Sequence, residues 1–314
     1  MNTPDCSIII RAYNEENHIS RLLQGILEQS AIRTQIILVD SGSTDHTTEM
    51  AAKFPVEIVN IAPQDFTFGR SLNLGISCST APYVVMASAH VYPVYPDWLE
   101  KLLEPFVDER TALTYGKQRG SSTTHFSEHQ IFHQWYPDVS VNRQSIPFCN
   151  NANAAIRREL WTQHPYDETL PGLEDLEWGK WAQEQGFGIS YCAEAEVIHV
   201  HNESLAGIYN RYKREGMAFK RIYPHETFTL LDLVHLFSQN VLNDWREARR
   251  KRLLQANWQK IIGFRWLQFY GTYQGYRQSG PLTWQLKKAF YYPRETQAAK
   301  PAEKRRNIEP IQYN

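Results

Sequence analysis

Two carboxylates stand side by side at Glu174 and Asp175, just past Pro171–Gly172 and at the head of a stretch that carries Trp178 and Trp181. Adjacent acids at a helix start are caps favoured by the helix dipole. They are also where a general base would sit, held by the backbone and facing a cleft. Further on, His199 and His201 alternate along an apolar run, so both point to one side of a strand. An H-x-H pair can bind a divalent metal; the other reading puts one ring in the core and one at the surface. His125, His129 and His133 are spaced for one helix face, and the stripe itself contains no acidic or cysteine ligand. That stripe reads as a solvated or acceptor-facing surface.

Asp40 closes the apolar run IILV and opens the polar turn DSGSTD. A carboxylate there can accept the imide N–H of uracil or thymine, or the edge of guanine. Ser43, Thr44 and Asp45 are placed to cap the helix that follows. Asp40 lies too early for that role and is read as a ligand contact. Tyr13, in RAYNEE, lies just past another strand and can stack on a base, so the pair outlines a nucleoside pocket. Arg70, in FGRSLNLGI, suits a diphosphate, with a surface ion pair as the plainer reading.

The elements that must position these groups alternate. Cys6–Ile10, Gln35–Val39, Val56–Ile61 and Tyr83–Ala87 read as strands; Asn17–Gln29, Thr44–Phe54 and Arg70–Cys78 read as helices. Such alternation predicts an α/β fold, a mostly parallel sheet with helices on both faces, whose ligands bind outside the carboxyl ends of the strands. Three polar clusters fall at such ends: Arg11–Glu15, Asp40–Asp45 and Ser88–His90. Gly120–Phe148 reads as a long excursion with a short helix, and Tyr191–His199 as a further strand. The domain reading is a catalytic body over residues 1–225, a basic, aromatic-rich helical extension over 226–294, and a loose polar tail over 295–314.

The 314 residues carry a net charge of −1, which excludes a chain-wide nucleic-acid role. The sum hides an asymmetry: residues 246–306 hold 15 Lys/Arg against 3 Asp/Glu. An acidic body with a basic C-terminal segment predicts an anionic partner for that segment. Leu253, Leu254, Trp258, Ile261, Ile262, Trp266 and Phe269 recur there near helical spacing, with Arg265 the exception. Docking on an anionic membrane surface or lipid-linked acceptor, packing of the apolar stripe on the acidic body, and homodimerisation through these helices are the readings. The 4 cysteines form no CxxC pair, and MNTPDCSIII has neither a basic n-region nor an apolar h-region. The expectation is a cytoplasmic protein, at most peripheral at the inner face of the membrane.

In order along roughly residues 5–225, these segments resemble the inverting family 2 glycosyltransferases with the GT-A nucleotide-diphospho-sugar fold. SIIIRAYNEE resembles the family's opening strand and nucleoside contact, and IILVDSGSTDHT its D-G-S-x-D-x-T turn, the most specific match. FGRSLNLGI resembles its Arg/Asn segment, and CNNANAAIRRELW the acceptor-side segment that precedes the base. LPGLEDLEWGKWAQEQG resembles the ED motif, VIHVHNES the late metal-site strand, and YGKQRGSS the subgroup with bacterial rhamnosyltransferases.

The resemblance implies transfer of a sugar from a nucleotide-diphospho-sugar donor to a glycan or lipid-linked acceptor. It makes Asp175 the base, with Glu174 beside it. It implies donor contacts from Ala12, Tyr13, Glu15, Asp40, Ser41, Arg70, Ser88 and His90, and acceptor contacts from Asn153 and Trp178. Where the family carries a metal-binding DXD motif, this chain reads Ser88–Ala89–His90, without either carboxylate. His90 with His199 or His201 is then the metal-site expectation, suited to Mn2+ better than Mg2+ because imidazole is a softer ligand. The competing expectation is metal independence, with Arg70 and His90 neutralising the diphosphate. Among other classes, a sugar-nucleotide pyrophosphorylase would need a Gly-rich basic loop that RAYNEE lacks. A processive synthase would need membrane spans and Q-x-x-R-W. A non-catalytic binding module derived from a transferase fits the missing DXD but not the retained GLEDLEW.

Overall fold

The computed structural model describes residues 3–278, Gly280, Thr283 and residues 308–313. The strands are β1 (Cys6–Ala12), β2 (Thr34–Asp40), β3 (Glu57–Asn60), β4 (Tyr83–Ser88), β5 (Val91–Pro93), β6 (Thr111–Gly120), β7 (Asn153–Arg157) and β8 (Gly188–His199). They form one sheet in the order β3-β2-β1-β4-β7-β6-β8-β5. The helices are α1 (Ile19–Leu27), α2 (Thr47–Ala51), α3 (Phe68–Ser77), α4 (Trp98–Leu103), α5 (Phe126–Trp135), α6 (Arg158–Gln163), α7 (Glu174–Glu184), α8 (Leu205–Ile222), α9 (Leu230–Arg250) and α10 (Leu254–Arg277).

β1, β2, β3 and β4 are mutually parallel. Their apolar runs are continuous because both sheet faces are covered. Ile8, Ile10, Leu38 and Val85 pack with Leu22, Leu23 and Ile26 of α1 on one face. Ile9, Ile37, Val39 and Met86 pack with Leu72 and Ile76 of α3 on the other. The carboxyl ends of β1, β2 and β4 therefore open on one edge of the sheet. In register, Ala12 lies opposite Asp40, and Arg11 opposite Ser88.

β7 runs antiparallel between β4 and β6, and β8 runs parallel to β6. The β6–β8 register shifts between Gly116 and Gln118, and the ladder resumes at Val197. That irregularity carries the end of β8 to β5, where Val91 pairs with His199 and the Val200 N–H donates to the His90 carbonyl at 3.1 Å. The bend thus brings two distant histidines together.

α8 and α10 pack backbone to backbone: a Cβ on Gly275 would lie 2.2 Å from the Lys213 carbonyl oxygen. The expected boundary near residue 225 falls in the turn after α8, but α8 joins the helical layer by packing. Arg265, the exception in the apolar pattern, is buried. It forms a two-pronged ion pair with Asp244 of α9 at 2.8 and 2.9 Å and donates to the Ser127 carbonyl on α5. It occupies a core position because its charge is matched there. The tail expectation is corrected for residues 308–313: the Ile311 N–H donates to the Val94 carbonyl at 3.0 Å, and Ile311 is buried beside the sheet edge. The rest of that tail, and residues 284–294 of the extension, lie outside the described residues. No described helix is long and apolar enough to cross a membrane.

Candidate active site

Three histidines converge at this edge. His90, His199 and His201 present ring nitrogens that all lie within 4.8 Å of one another. His90 stacks on His199 at 5.1 Å between ring centroids, and the His199 and His201 Nε2 atoms are 3.0 Å apart. Glu128 of α5, fixed by Arg211 of α8, accepts from His201 Nδ1 at 2.7 Å. Gln118 of β6 accepts from His199 Nδ1 at 2.7 Å. With the protons held on Nδ1, both Nε2 lone pairs face one gap, the outer-shell pattern of metal-ligating imidazoles. Two lone pairs at that distance repel unless a proton or a cation lies between them. Burial first, and then the neighbouring histidines, hold the His199 pKa well below its usual value, in the neutral form a metal needs. The donor set therefore fits a divalent cation.

His90 differs. Burial opposes its charge, but Glu15, with Oε1 2.7 Å from Nδ1, outweighs burial and raises the pKa. Its Nε2 lies 3.1 Å from the Ser88 hydroxyl. Glu15, Ser88 and His90 thus form one contact group. A protonated His90 is a cation for a diphosphate, and a neutral one is a metal ligand.

The acid pair opens α7. Leu173, just before it, is left-handed at φ 56°, a strained conformation that turns both carboxylates inward. Asp175 accepts from the Leu176 N–H at 2.8 Å and the Asn151 N–H at 3.0 Å, one on each oxygen. Glu174 accepts from Arg11 at 3.0 Å and from the Asn151 side-chain amide at 3.4 Å. Both acids are buried. Burial and the Glu174 charge raise the Asp175 pKa to about 7. A carboxylate so tuned titrates where a general base works.

At the β2 end, Asp40 Oδ2 accepts from the Gly42 and Ser43 N–H groups at 3.0 Å each. Its Oδ1 is buried with no hydrogen-bond partner among the described residues. Half of this carboxylate closes the turn, and the other half is available to a donor N–H. Asn14 ties the neighbouring loop to the same turn, accepting from the Thr44 N–H at 2.8 Å. Tyr13, half-buried, directly follows β1 and precedes Asn14.

Two expected contacts, at Asn153 and Trp178, are corrected. Asn153 is fully buried in β7, accepting from Trp98 Nε1 and donating to the Lys117 and Ala195 carbonyls, so nothing is left for an acceptor. Trp178 is fully buried, its Nε1 donating to the His164 carbonyl at 2.7 Å. Arg70 is a half-exposed surface ion pair, 3.8 Å from Asp65 and 4.0 Å from Glu168. The guanidinium beside the acids is Arg11, which also lies over the Phe68 ring at 4.5 Å. The Ser41 hydroxyl donates to the Ala12 carbonyl, so those two residues shape the loop through each other. Sequence reasoning did not single out Arg11, Gln118, Glu128, Asn151 or Arg211. Their only signal was membership of polar segments whose partners lie far along the chain.

The family model for glycosyl transferase family 2 matches residues 7–163. The O-antigen chain rhamnosyltransferase RfbN of Salmonella typhimurium is 25% identical over 223 residues, spanning 67% of this chain and 71% of its own. The O-antigen chain rhamnosyltransferase WbaN of Salmonella anatum is 25% identical over 232 residues, spanning 68% and 72%. The mannosyltransferase PcManGT from Pyrobaculum calidifontis, solved with GDP-Man and Mn2+, superposes with a TM-score of 0.61 over 88% of each chain at 15% identity.

Proposed function

The chain belongs to glycosyl transferase family 2 and has the GT-A fold; on that premise we propose that it moves one sugar, with inversion, from a nucleotide-diphospho-sugar to a hydroxyl of a glycan or lipid-linked acceptor. The setting is surface-polysaccharide or glycolipid assembly at the cytoplasmic face of a membrane. The two Salmonella relatives make nucleotide-activated rhamnose the first donor to test. The observation that carries the reading is Asp175, buried beside Glu174 with its pKa raised to about 7. Its two backbone hydrogen bonds fix its direction, so the entropy of aiming a base is met in the fold.

In this mechanism Tyr13 stacks on the nucleobase and Asp40 Oδ1 accepts its N–H. Ser88 and His90 face the diphosphate, and His90 shares its proton with Glu15. Asp175 takes the proton of the acceptor hydroxyl as that oxygen attacks the anomeric carbon. The nucleoside diphosphate leaves from the opposite side, and configuration inverts. His90, His199 and His201 would hold the metal. When bound, Mn2+, favoured over Mg2+ by imidazole, supplies charge neutralisation for the leaving group.

Asp175→Asn tests the reading. It should retain nucleotide affinity and lose transfer by several orders of magnitude. A variant keeping a tenth of the activity removes Asp175 from the role.

A further inference from the structure

The hairpin of α9 and α10 spends its inner faces on packing and leaves a distinct outer one. Val241, Ala248 and Ile261 are buried between the helices, and Asp244 and Arg265 neutralise each other there. On the outward side of α9, Leu231, Val234, Ser238, Leu242, Arg246 and Arg249 follow one another at intervals of three or four residues, one continuous line on a helix. Leu231 is 81% exposed, Val234 53% and Leu242 47%. Exposed apolar surface gathered along one line, rimmed by charge, is the mark of an interaction site. On α10, Trp258 and Trp266 are 46% and 44% exposed, and the Trp245 indole N–H donates to the Trp258 carbonyl.

Charge decides what covers this line. Its end and the following turn carry Arg246, Arg249, Arg250, Lys251, Arg252 and, on α10, Lys260, all exposed. Glu247 is the acid among them, and Arg250 and Lys251 pair with it at 2.7 and 3.2 Å. A parallel pairing with a second copy would set these cations against their own kind. An anionic bilayer complements them: headgroups meet the guanidinium groups, and Leu and Trp side chains sink to the acyl boundary.

We propose that the outer face of the α9–α10 hairpin docks on an anionic phospholipid surface. The inference deepens the proposed function, on which it rests for its purpose, by naming the partner at which a lipid-linked acceptor is met.

The experiment is co-sedimentation of the full chain with vesicles of phosphatidylglycerol and phosphatidylethanolamine, and with phosphatidylcholine alone. Binding to the anionic vesicles, lost at high salt, is expected. Each basic residue near such a surface is worth about fivefold in binding, so Arg249→Glu/Arg252→Glu/Lys260→Glu should weaken it by about a hundredfold or more. Leu231→Ser/Val234→Ser should weaken it without changing its salt dependence. These positions are exposed, so both variants should transfer sugar to a soluble acceptor as the wild type does. Loss of transfer with vesicle binding intact would instead strike the proposed function. No binding at low salt overturns the docking proposal, as does equal binding to neutral vesicles. A dimer broken by Leu231→Ser/Val234→Ser, without vesicle binding, also overturns it and assigns the face to a second copy.

Discussion

Replacing Glu174 with Gln should move the pH dependence of the reaction while leaving its machinery in place. Glu174 and Asp175 both receive hydrogen bonds from Asn151, at 3.4 and 3.0 Å, so their charges are close neighbours. At a separation on the order of 6 Å and an effective dielectric constant of about 20, one charge acts on the other by about 3 kcal/mol, or about two pKa units. Arg11, ion-paired with Glu174 at 3.0 Å, already offsets part of that. The Asp175 pKa, about 7 with Glu174 in place, should fall by about one to two units in Glu174→Gln. The freed Arg11 charge pulls the same way. The assay is kcat/KM for transfer across pH, which reports the free enzyme. The wild type at about pH 6 should run at about a tenth of its plateau, and the variant at about three quarters of its own. An acidic limb that stays put in Glu174→Gln would refute the electrostatic argument, whatever the variant's absolute rate.

Further expectations follow from the same geometry. Burial and Glu174 raise the Asp175 pKa from 3.8 to about 7, so the folded chain holds this proton more tightly than the unfolded chain. The stability it contributes is full below the unfolded value and lost as pH climbs through about 7. Asp175→Asn should therefore gain about 2–3 kcal/mol relative to wild type between about pH 5 and pH 8, and denaturant melts that show no pH-dependent gain contradict the burial argument. Asp40→Asn keeps an acceptor for the Gly42 and Ser43 N–H groups but loses the charged contact at Oδ1. It should raise the donor KM about ten- to a hundredfold with kcat nearly unchanged, and unaltered nucleotide binding in calorimetry would move the pocket elsewhere. EDTA should abolish transfer and Mn2+ restore it, with His201→Ala needing more Mn2+ than wild type; full activity in EDTA would rule out the metal.

The first half of the fold was legible because periodicity and position agree there. The runs Cys6–Ile10, Gln35–Val39 and Tyr83–Ala87 are the cores of β1, β2 and β4. α3 begins at Phe68 rather than Arg70 because the Thr67 hydroxyl caps it, accepting from the Arg70 N–H at 3.1 Å. β5 escaped notice because it is three residues long and ends in proline. The stretch 150–161 reads as a helix or as a strand followed by a helix, and the structure makes it the second, with β7 running directly into α6. The three histidines were legible by type and by strand-end position, and the fold brings their rings together. Gln118 and Glu128, which orient two of them, lie 81 and 73 residues away along the chain, beyond the reach of any local pattern. Asn153 and Trp178 were misread because resemblance ranks a residue by its segment, whereas β7 lies inside the sheet and fixes Asn153 there with three hydrogen bonds. Arg70 shows the plainer of its two readings, a surface ion pair, while the Arg11 contact with Glu174, 163 residues away, has no local pattern to announce it.

Inversion by direct displacement, with Asp175 as the base, leaves its mark on the configuration of the product. Once a thermal-shift scan of nucleotide-sugars with Mn2+ has identified the donor, NMR of the glycoside formed is the direct test, because the one-bond C–H coupling at its anomeric carbon reports configuration even for a sugar such as rhamnose. A product of opposite anomeric configuration to the donor, formed by the wild type and not by Asp175→Asn, is the predicted result. A product of retained configuration, or an inverted one still made at wild-type rate by Asp175→Asn, would contradict it.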